Sequence, residues 1–478
     1  MGRAWRMLTV FMMLVGLVAL GPISPAQAAG TVGTGTAGSC TEAALNTALS
    51  GGGLVTFNCG PNPVTITVTS EKLLLQSTQV DGGGLITLSG GGTTRIFNVA
   101  IPGISLELRN ITLSNGMASG TNPGGAVIAA GSLTVINSTF INNSAFSGGA
   151  VFSAGSSLLV LDSTFDTNSA NGGGGGAIIN AGGTATVARS TFVNNQDTGA
   201  NGGGAISNLS GIVSLVNSTF TENSAGFGGA LLNATPGATL YLNSSTISDN
   251  TASTDGGGVY NSGGTTNITG SIVADNSAAT GANCFDDATP GTIVSSGSNL
   301  SDDGSCPFVS AGDIQNSPNI DLNALADNGG LTETMLPQAS SDAIDNADCG
   351  LLVSEDQRGV DRPAGSSCDI GSVEVLQSTY ALCASYYTGV VYSPLNGQCG
   401  GGQIQIDPTN ETFCIDTYTG RLLYLFGSPC NPPRRAHVLP DDGELLTCVS
   451  YYTGVNRAVG SHSQCTPAEA PNTIPAAP

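Results

Sequence analysis

The sequence predicts an all-β chain wound into a right-handed parallel β-helix, and three observations predict it. One sequence unit recurs between residues 108 and 277 with its apolar anchor at Phe140, Phe165, Phe192, Phe220 and Ile247, in steps of 25, 27, 28 and 27 residues. An asparagine follows each anchor by three positions, at Asn143, Asn168, Asn195, Asn223 and Asn250. A glycine-rich run ending in Gly-Gly-Ala or Gly-Gly-Val then precedes the next apolar strand, as in Gly148–Val151 and Gly228–Leu231. A fixed period of this length marks a solenoid, each repeat supplying one coil that buries its apolar face only against its neighbours.

Each coil divides in order. Leu133–Ile136 reads as a first strand, Asn137 as a bend and Ser138-Thr139-Phe140 as a second strand. A glycine corner and a third strand around Val151 complete the turn, giving a three-strand coil of 25–28 residues. Alternate strand residues point inward, so the anchors stack about 4.8 Å apart. Corner asparagines at matching heights are expected to hydrogen-bond up the stack, satisfying backbone that burial would otherwise orphan. Glycine at the third corner permits φ > 0 and close backbone approach. About ten coils make a rod of roughly 50 Å. The repeat lacks a leucine-rich consensus, lacks Gly-Gly-x-Gly-x-Asp calcium nonapeptides, and shows no helical periodicity.

The ends read differently. Residues 1–28 form a signal peptide: Arg3 and Arg6, then an apolar run over 7–20, then the small-residue Ala26-Gln27-Ala28. Residues 29–53 form an N-terminal cap, in which Ser39-Cys40-Thr41-Glu42 matches a capping box opening a helix over Ala43–Leu49. The β-helix proper spans 54–319, residues 320–376 close its far end, 377–466 hold three Cys/Tyr-rich repeats, and 467–478 form a disordered Pro/Ala tail.

Twelve cysteines follow the signal, an even number suited to an oxidising compartment. Local disulfide pairing is the simplest assignment. It joins Cys40 with Cys59, Cys284 with Cys306, Cys349 with Cys368, Cys383 with Cys399, Cys414 with Cys430 and Cys448 with Cys465. The expected location is extracellular or at the cell surface. With 34 acids against 12 bases and a net charge of −22, the chain is a poor partner for nucleic acid or an anionic membrane. After signal removal no membrane span is expected. Charged residues are only 10% of the chain, against about 25% in ordinary domains, so the surface is polar but largely uncharged.

The repeats Gly-Gly-Ala-[Ile/Leu/Val] and Phe-x-x-Asn resemble those of bacterial polymorphic outer-membrane proteins. Residues 326–349 and 356–374 resemble the end segment of the bacterial choice-of-anchor Q β-helix proteins, a family of pectin-lyase-like fold. Asn328-Gly329-Gly330-Leu331-Thr332, Asp342-Ala343-Ile344-Asp345 and Arg358-Gly359 through Glu374 occupy that segment's places. Ser341-Asp342 stands where the family has Ser-Pro. The resemblance covers about residues 38–376 and implies a cell-surface class without a defined activity.

Residues suited to catalysis are sparse in the repeat region. Between residues 54 and 320 the bases are Lys72, Arg95, Arg109 and Arg189, and both histidines, His437 and His462, lie beyond. Arg189 occupies the bend slot of Asn137, Asp162 and Asn217, so its expected role is a corner residue. Glu222 and Asp249 each sit two residues after an anchor in adjacent coils, a separation of roughly 5 Å, which makes them weak candidates for a catalytic pair. No motif supports a cofactor; calcium has no matching loop. In the C-terminal repeats Tyr386, Tyr387, Tyr418, Tyr451 and Tyr452 are candidate ligand-binding side chains, since a tyrosine offers a broad ring and a wet hydroxyl. They serve equally as cross-strand packing at a Thr-Gly hairpin. The expected function is a structural or adhesive one, with extracellular or envelope polysaccharide or a surface protein as partner, retained at the surface through the three repeats. The alternative is a lyase or glycoside hydrolase of the pectate-lyase-like β-helix class.

Overall fold

The computed structural model describes residues 28–155, 157–199, 202–287 and 292–375, together with the backbone of nine strands between Leu382 and Ile474. The chain divides into two units, residues up to Val375 and residues from Leu376 onward.

The first unit is a parallel β-solenoid of about 10 turns. Its second strands, Thr139–Ile141, Thr164–Asp166, Thr191–Val193, Thr219–Thr221, Thr246–Ser248 and Ile272–Ala274, pair in parallel register. That register stacks anchor on anchor. The rings of Phe140, Phe165, Phe192 and Phe220 lie 4.7, 4.8 and 4.8 Å apart and within 9° of parallel, all fully buried. Ile66, Leu88 and Leu113 continue the column below Phe140, and Ile247 and Val273 continue it above Phe220.

The expected asparagine ladder is present and continuous. Each Asn Nδ2, from Asn143 through Asn250, donates to the Oδ1 of the asparagine one coil on at 2.9 Å, ending on Asn276. The second Nδ2 hydrogen bonds the anchor carbonyl of the preceding coil, as in Asn195 to Phe165 O at 2.8 Å. Gly-Gly-Ala divides its labour along the corner. The first glycine takes φ near +60°, as at Gly148 and Gly228. The second lies so close to the next coil that a Cβ on Gly176 or Gly204 would stand 2.0 Å from a carbonyl oxygen.

Four features differ from expectation. The glycine corner carries its own five-stranded parallel sheet, built from Ser144–Ala145, Ser169–Ala170, Gln196–Asp197, Ser224–Phe227 and Thr251–Asp255, so these coils have four short strands rather than three. The chain leaves each ladder asparagine still in register with its neighbours, and pairing resumes at once.

At the front, a strand over Ala28–Val32 pairs with Gly53–Phe57, ahead of the coil expected to come first. The helix runs Glu42–Leu49 with Thr41, not Ser39, as its cap, Thr41 Oγ1 accepting from Ala44 N–H. Glu42 does not reach back as a capping box requires. It binds the Thr69 N–H (2.8 Å) and hydroxyl (2.7 Å) and pairs with buried Lys72, fixing the helix to the first full coil. Burial alone would raise the Glu42 carboxyl, but the hydrogen bonds from Lys72 and Thr69 outweigh it and hold the group at about 2, against an ordinary 4.5. A depressed carboxylate stabilises the fold above its unfolded value and loses that contribution as pH falls through the folded one. The melting-temperature gap between wild type and Glu42→Gln is therefore expected to persist at neutral pH and to close between about pH 4.5 and 2. A gap independent of pH over that range would show that the cap is held by other contacts.

The segment 320–375 is not confined to the far end, where its Asp348 N–H donates to Ser298 Oγ (3.0 Å). From Leu331 it runs back along the outside of the second strands as a lateral clasp. Thr332 Oγ1 donates to Arg189 O (3.1 Å), Thr191 Oγ1 to Glu333 O (2.6 Å), and Thr219 Oγ1 to Gln357 Oε1 (2.7 Å). Nearer the end, Ser372 N–H donates to Thr246 Oγ1 (3.1 Å) and Gly371 N–H to Gly270 O (2.9 Å). Outward threonines of three coils thus gain partners, and Leu352 and Ile370 join Ile272 and Leu300 in a second apolar cluster.

The fourth difference lies in the second unit. Three antiparallel three-stranded sheets follow one another, centred on Leu382–Ser385, Phe413–Asp416 and Leu445–Ser450. The third ends with Glu469–Ile474 paired to Leu445–Ser450, within the stretch expected to be a disordered tail. A lone hairpin is marginal in water, and a third strand completes each small sheet. Pro471 is accommodated because Glu469–Ile474 is an edge strand.

Candidate functional site

Chemistry-bearing residues reach the surface at the bends of the coil. The residue before each ladder asparagine takes a left-handed conformation, which turns its side chain out to solvent: Asn142, Thr167, Asn194, Glu222, Asp249 and Asp275, at φ between 54° and 60°. Asparagine and aspartate tolerate this region best, and glutamate less well. Glu222 and Asp249 are therefore exposed neighbours in adjacent coils, as their spacing predicts. They are not an isolated pair. Burial and then the Glu222 charge raise Asp249, while burial and then Asp302, Asp249 and Asp321 raise Asp275. The carboxylates form a row along one edge. Among the described residues no three His, Cys, Asp or Glu side chains converge as metal ligands.

The bases are spoken for. Lys72 pairs with Glu42, Arg95 with Glu71, Arg109 with Glu107, Arg189 with Asp162, Arg358 with Asp356 and Arg362 with Glu374. Arg189 sits at the expected bend, φ 50°, with a two-pronged grip on Asp162 one coil away at 2.6 and 2.8 Å. These six are all the lysines and arginines between residues 28 and 375.

Two ladders escaped the sequence reading. Asn180, Asn208, Asn233 and Asn261 form a second buried asparagine column, Nδ2 to Oδ1 at 3.0 Å, which ends on Asp286 at 2.9 Å. Its signal was present: an asparagine three residues after the small residue that closes each glycine corner. Ser138, Ser163, Ser190, Ser218, Ser245 and Ser271 form the other, each accepting the N–H of its counterpart one coil before, from Ser163 at 3.1 Å upward. Their hydroxyls in turn donate to the carbonyl two residues back, as Ser163 does to Leu161 O at 2.7 Å. The hydrogen-bond donor capacity of these buried amides and hydroxyls is thus consumed by the fold.

Three of the six expected disulfides are formed among the described residues. Cys40 bonds to Cys59, Cys284 to Cys306 and Cys349 to Cys368, with Cα separations of 5.7, 4.8 and 5.3 Å. The first pins the cap to the first coil, the second closes the solenoid's last turn, and the third braces the clasp. The other three expected pairings have no counterpart there, because one half of each falls outside the described residues. Cys383, Cys414 and Cys448 stand on the central strands of the three C-terminal sheets, of which the backbone alone is described. Their expected partners Cys399, Cys430 and Cys465 lie outside the described residues altogether. So do Tyr386, Tyr387, Tyr418, Tyr451 and Tyr452.

No protein-family profile, curated protein or solved structure matches this chain.

Proposed function

We propose that this chain is an exported or cell-surface solenoid with a structural or adhesive role, holding extracellular polysaccharide rather than cleaving it. The observation that carries this reading is the commitment of every lysine and arginine between residues 28 and 375 to a carboxylate. A β-elimination of uronates needs a free base beside the abstracted proton and cations to neutralise the substrate's carboxylate. The acids exposed at successive bends, Glu222, Asp249 and Asp275, would repel a uronate instead. The disulfides suit an oxidising compartment, and in this proposal the three C-terminal repeats supply retention at the surface.

Incubation of the purified protein with polygalacturonate and alginate, with and without calcium, is expected to give no unsaturated product and no new reducing ends. Turnover that disappears in Glu222→Gln or Asp249→Asn would overturn the proposal and place a hydrolytic or metal-assisted site on the acidic edge.

A further inference from the structure

Outward side chains of the first strands stack in three columns, running from Ser157 to Thr292, from Thr134 to Val294 and from Ile136 to Thr269. The seven strands that carry them span residues 132–297, and no position in the three columns is Asp, Glu, Lys or Arg. Over these seven strands the face is free of charge, in a chain with 34 acids; one coil before it, Glu107 and Arg109 stand in register with Thr134 and Ile136 and pair with each other. Inward positions of the same strands, such as Leu133, Val135, Leu158 and Val160, are fully buried, so the alternation fixes which side chains face out. Tyr241 and Val294 on the middle column and Ile212 on the first are 39–41% exposed.

We infer that this face binds an uncharged linear polysaccharide presented as an ordered fibre; the inference rests on the adhesive reading above. Charge selects the partner class. A net charge of −22 repels uronates and nucleic acid alike, whereas a neutral polymer meets a face with no ion to desolvate. Hydroxyls such as Thr186, amides such as Asn267 and the Tyr241 ring supply the polar and stacking contacts that sugar rings require. Size excludes a second copy of the chain. Seven strands about 4.8 Å apart and three outward positions about 6.6 Å apart cover roughly 400 Å², half of what one partner contributes to a stable protein interface. A fibre surface engages many columns together, so weak contacts add by effective concentration.

The test is sedimentation of the full-length protein with insoluble cellulose and chitin, and with cross-linked polygalacturonate, at low and high salt. Retention on a neutral fibre is expected, unchanged by salt, and weakened at least about tenfold by Thr186→Glu or by Tyr241→Ala, a loss of about 1.4 kcal/mol. Thr164→Glu, on the second-strand face beyond the clasp, is expected to bind as wild type, and circular dichroism with a melt confirms that each variant is folded. Equal binding by Thr186→Glu and wild type would overturn the assignment of this face while leaving the adhesive reading intact. So would retention on polygalacturonate alone. Failure to bind any polymer overturns both.

Discussion

Asn195→Ala is expected to destabilise the solenoid by about 3–6 kcal/mol, more than any surface substitution in the chain. Asn195 is fully buried. Its Oδ1 accepts both the N–H of Asn168 (3.1 Å) and the Nδ2 of Asn168 (2.9 Å), and its own Nδ2 donates to Phe165 O (2.8 Å) and Asn223 Oδ1 (2.9 Å). Truncation leaves two donors of Asn168 without a partner in the interior and weakens two acceptors. Each such orphan costs about 1–3 kcal/mol because no water reaches it. Solenoid stability is close to a sum of coil and nearest-neighbour terms, so the loss is local first. Hydrogen exchange should quicken in the coils around residues 164–225 before the rest of the rod responds. Asn137→Gly is the matched control: Asn137 is exposed, has φ 44° that glycine adopts freely, and makes one side-chain bond, to Asn110 at 2.8 Å. If the two variants unfold at the same denaturant concentration, the ladder contributes nothing that an exposed bend does not.

The second large effect is expected at the clasp. Arg362 and Glu374 are 1% and 0% exposed and 2.9 Å apart. Arg362 also donates to the carbonyls of Asp369 (2.8 Å) and Gly371 (2.7 Å), and Glu374 accepts the N–H of Ala364 (2.8 Å) and Asp369 (2.9 Å). This pair folds the segment 356–375 on itself so that Gln357, Gly371 and Ser372 reach the coils. Burial lifts neighbouring Asp369 to about 6, with the charges of Glu374 and Asp345 adding to it against the N–H groups of Asp345 and Val375. Without Arg362 the buried Glu374 carboxylate is left beside Asp369 with its one cationic partner removed. Arg362→Met is expected to cost about 3–5 kcal/mol, the usual result of stranding one buried charge. Arg362→Met with Glu374→Gln is expected to recover at least about 1 kcal/mol of it. The readout is limited proteolysis: cleavage between Leu331 and Val375 should rise in the single variant while the solenoid's β signal in circular dichroism is kept. An uncleaved single variant, or a double variant no better than the single, would show that the clasp is held by its contacts to the coils and not by this pair.

What the sequence determined by itself is the periodic part of this protein. The steps between Phe140, Phe165, Phe192 and Phe220 imposed one register, and register imposed the aromatic stack and the Asn143-to-Asn250 ladder, because identical side chains at equal heights meet whether or not anything else is known. The bend role of Arg189 and the adjacency of Glu222 and Asp249 followed from the same counting. Three of the cysteine pairs were legible because each closes a short loop between neighbouring segments. Tertiary structure decided what counting cannot reach. Gln357 meets Thr191 and Thr219, and Ser372 meets Thr246, across 126–166 residues, and no local pattern states which flank an irregular segment will cover. Glu42 looked like a capping residue until Thr69, from a bend 27 positions on, and Lys72, from a strand 30 positions on, arrived to bind it. The second asparagine column was overlooked because one polar residue in an apolar strand is ambiguous until the neighbouring coils show that it lies inside. The uncharged first-strand face over residues 132–297 was present in the sequence as a scatter of threonines, serines, asparagines, aliphatics and one tyrosine. Only the stacking of coils made that scatter a surface, since a composition becomes a binding face when parallel register brings its members side by side.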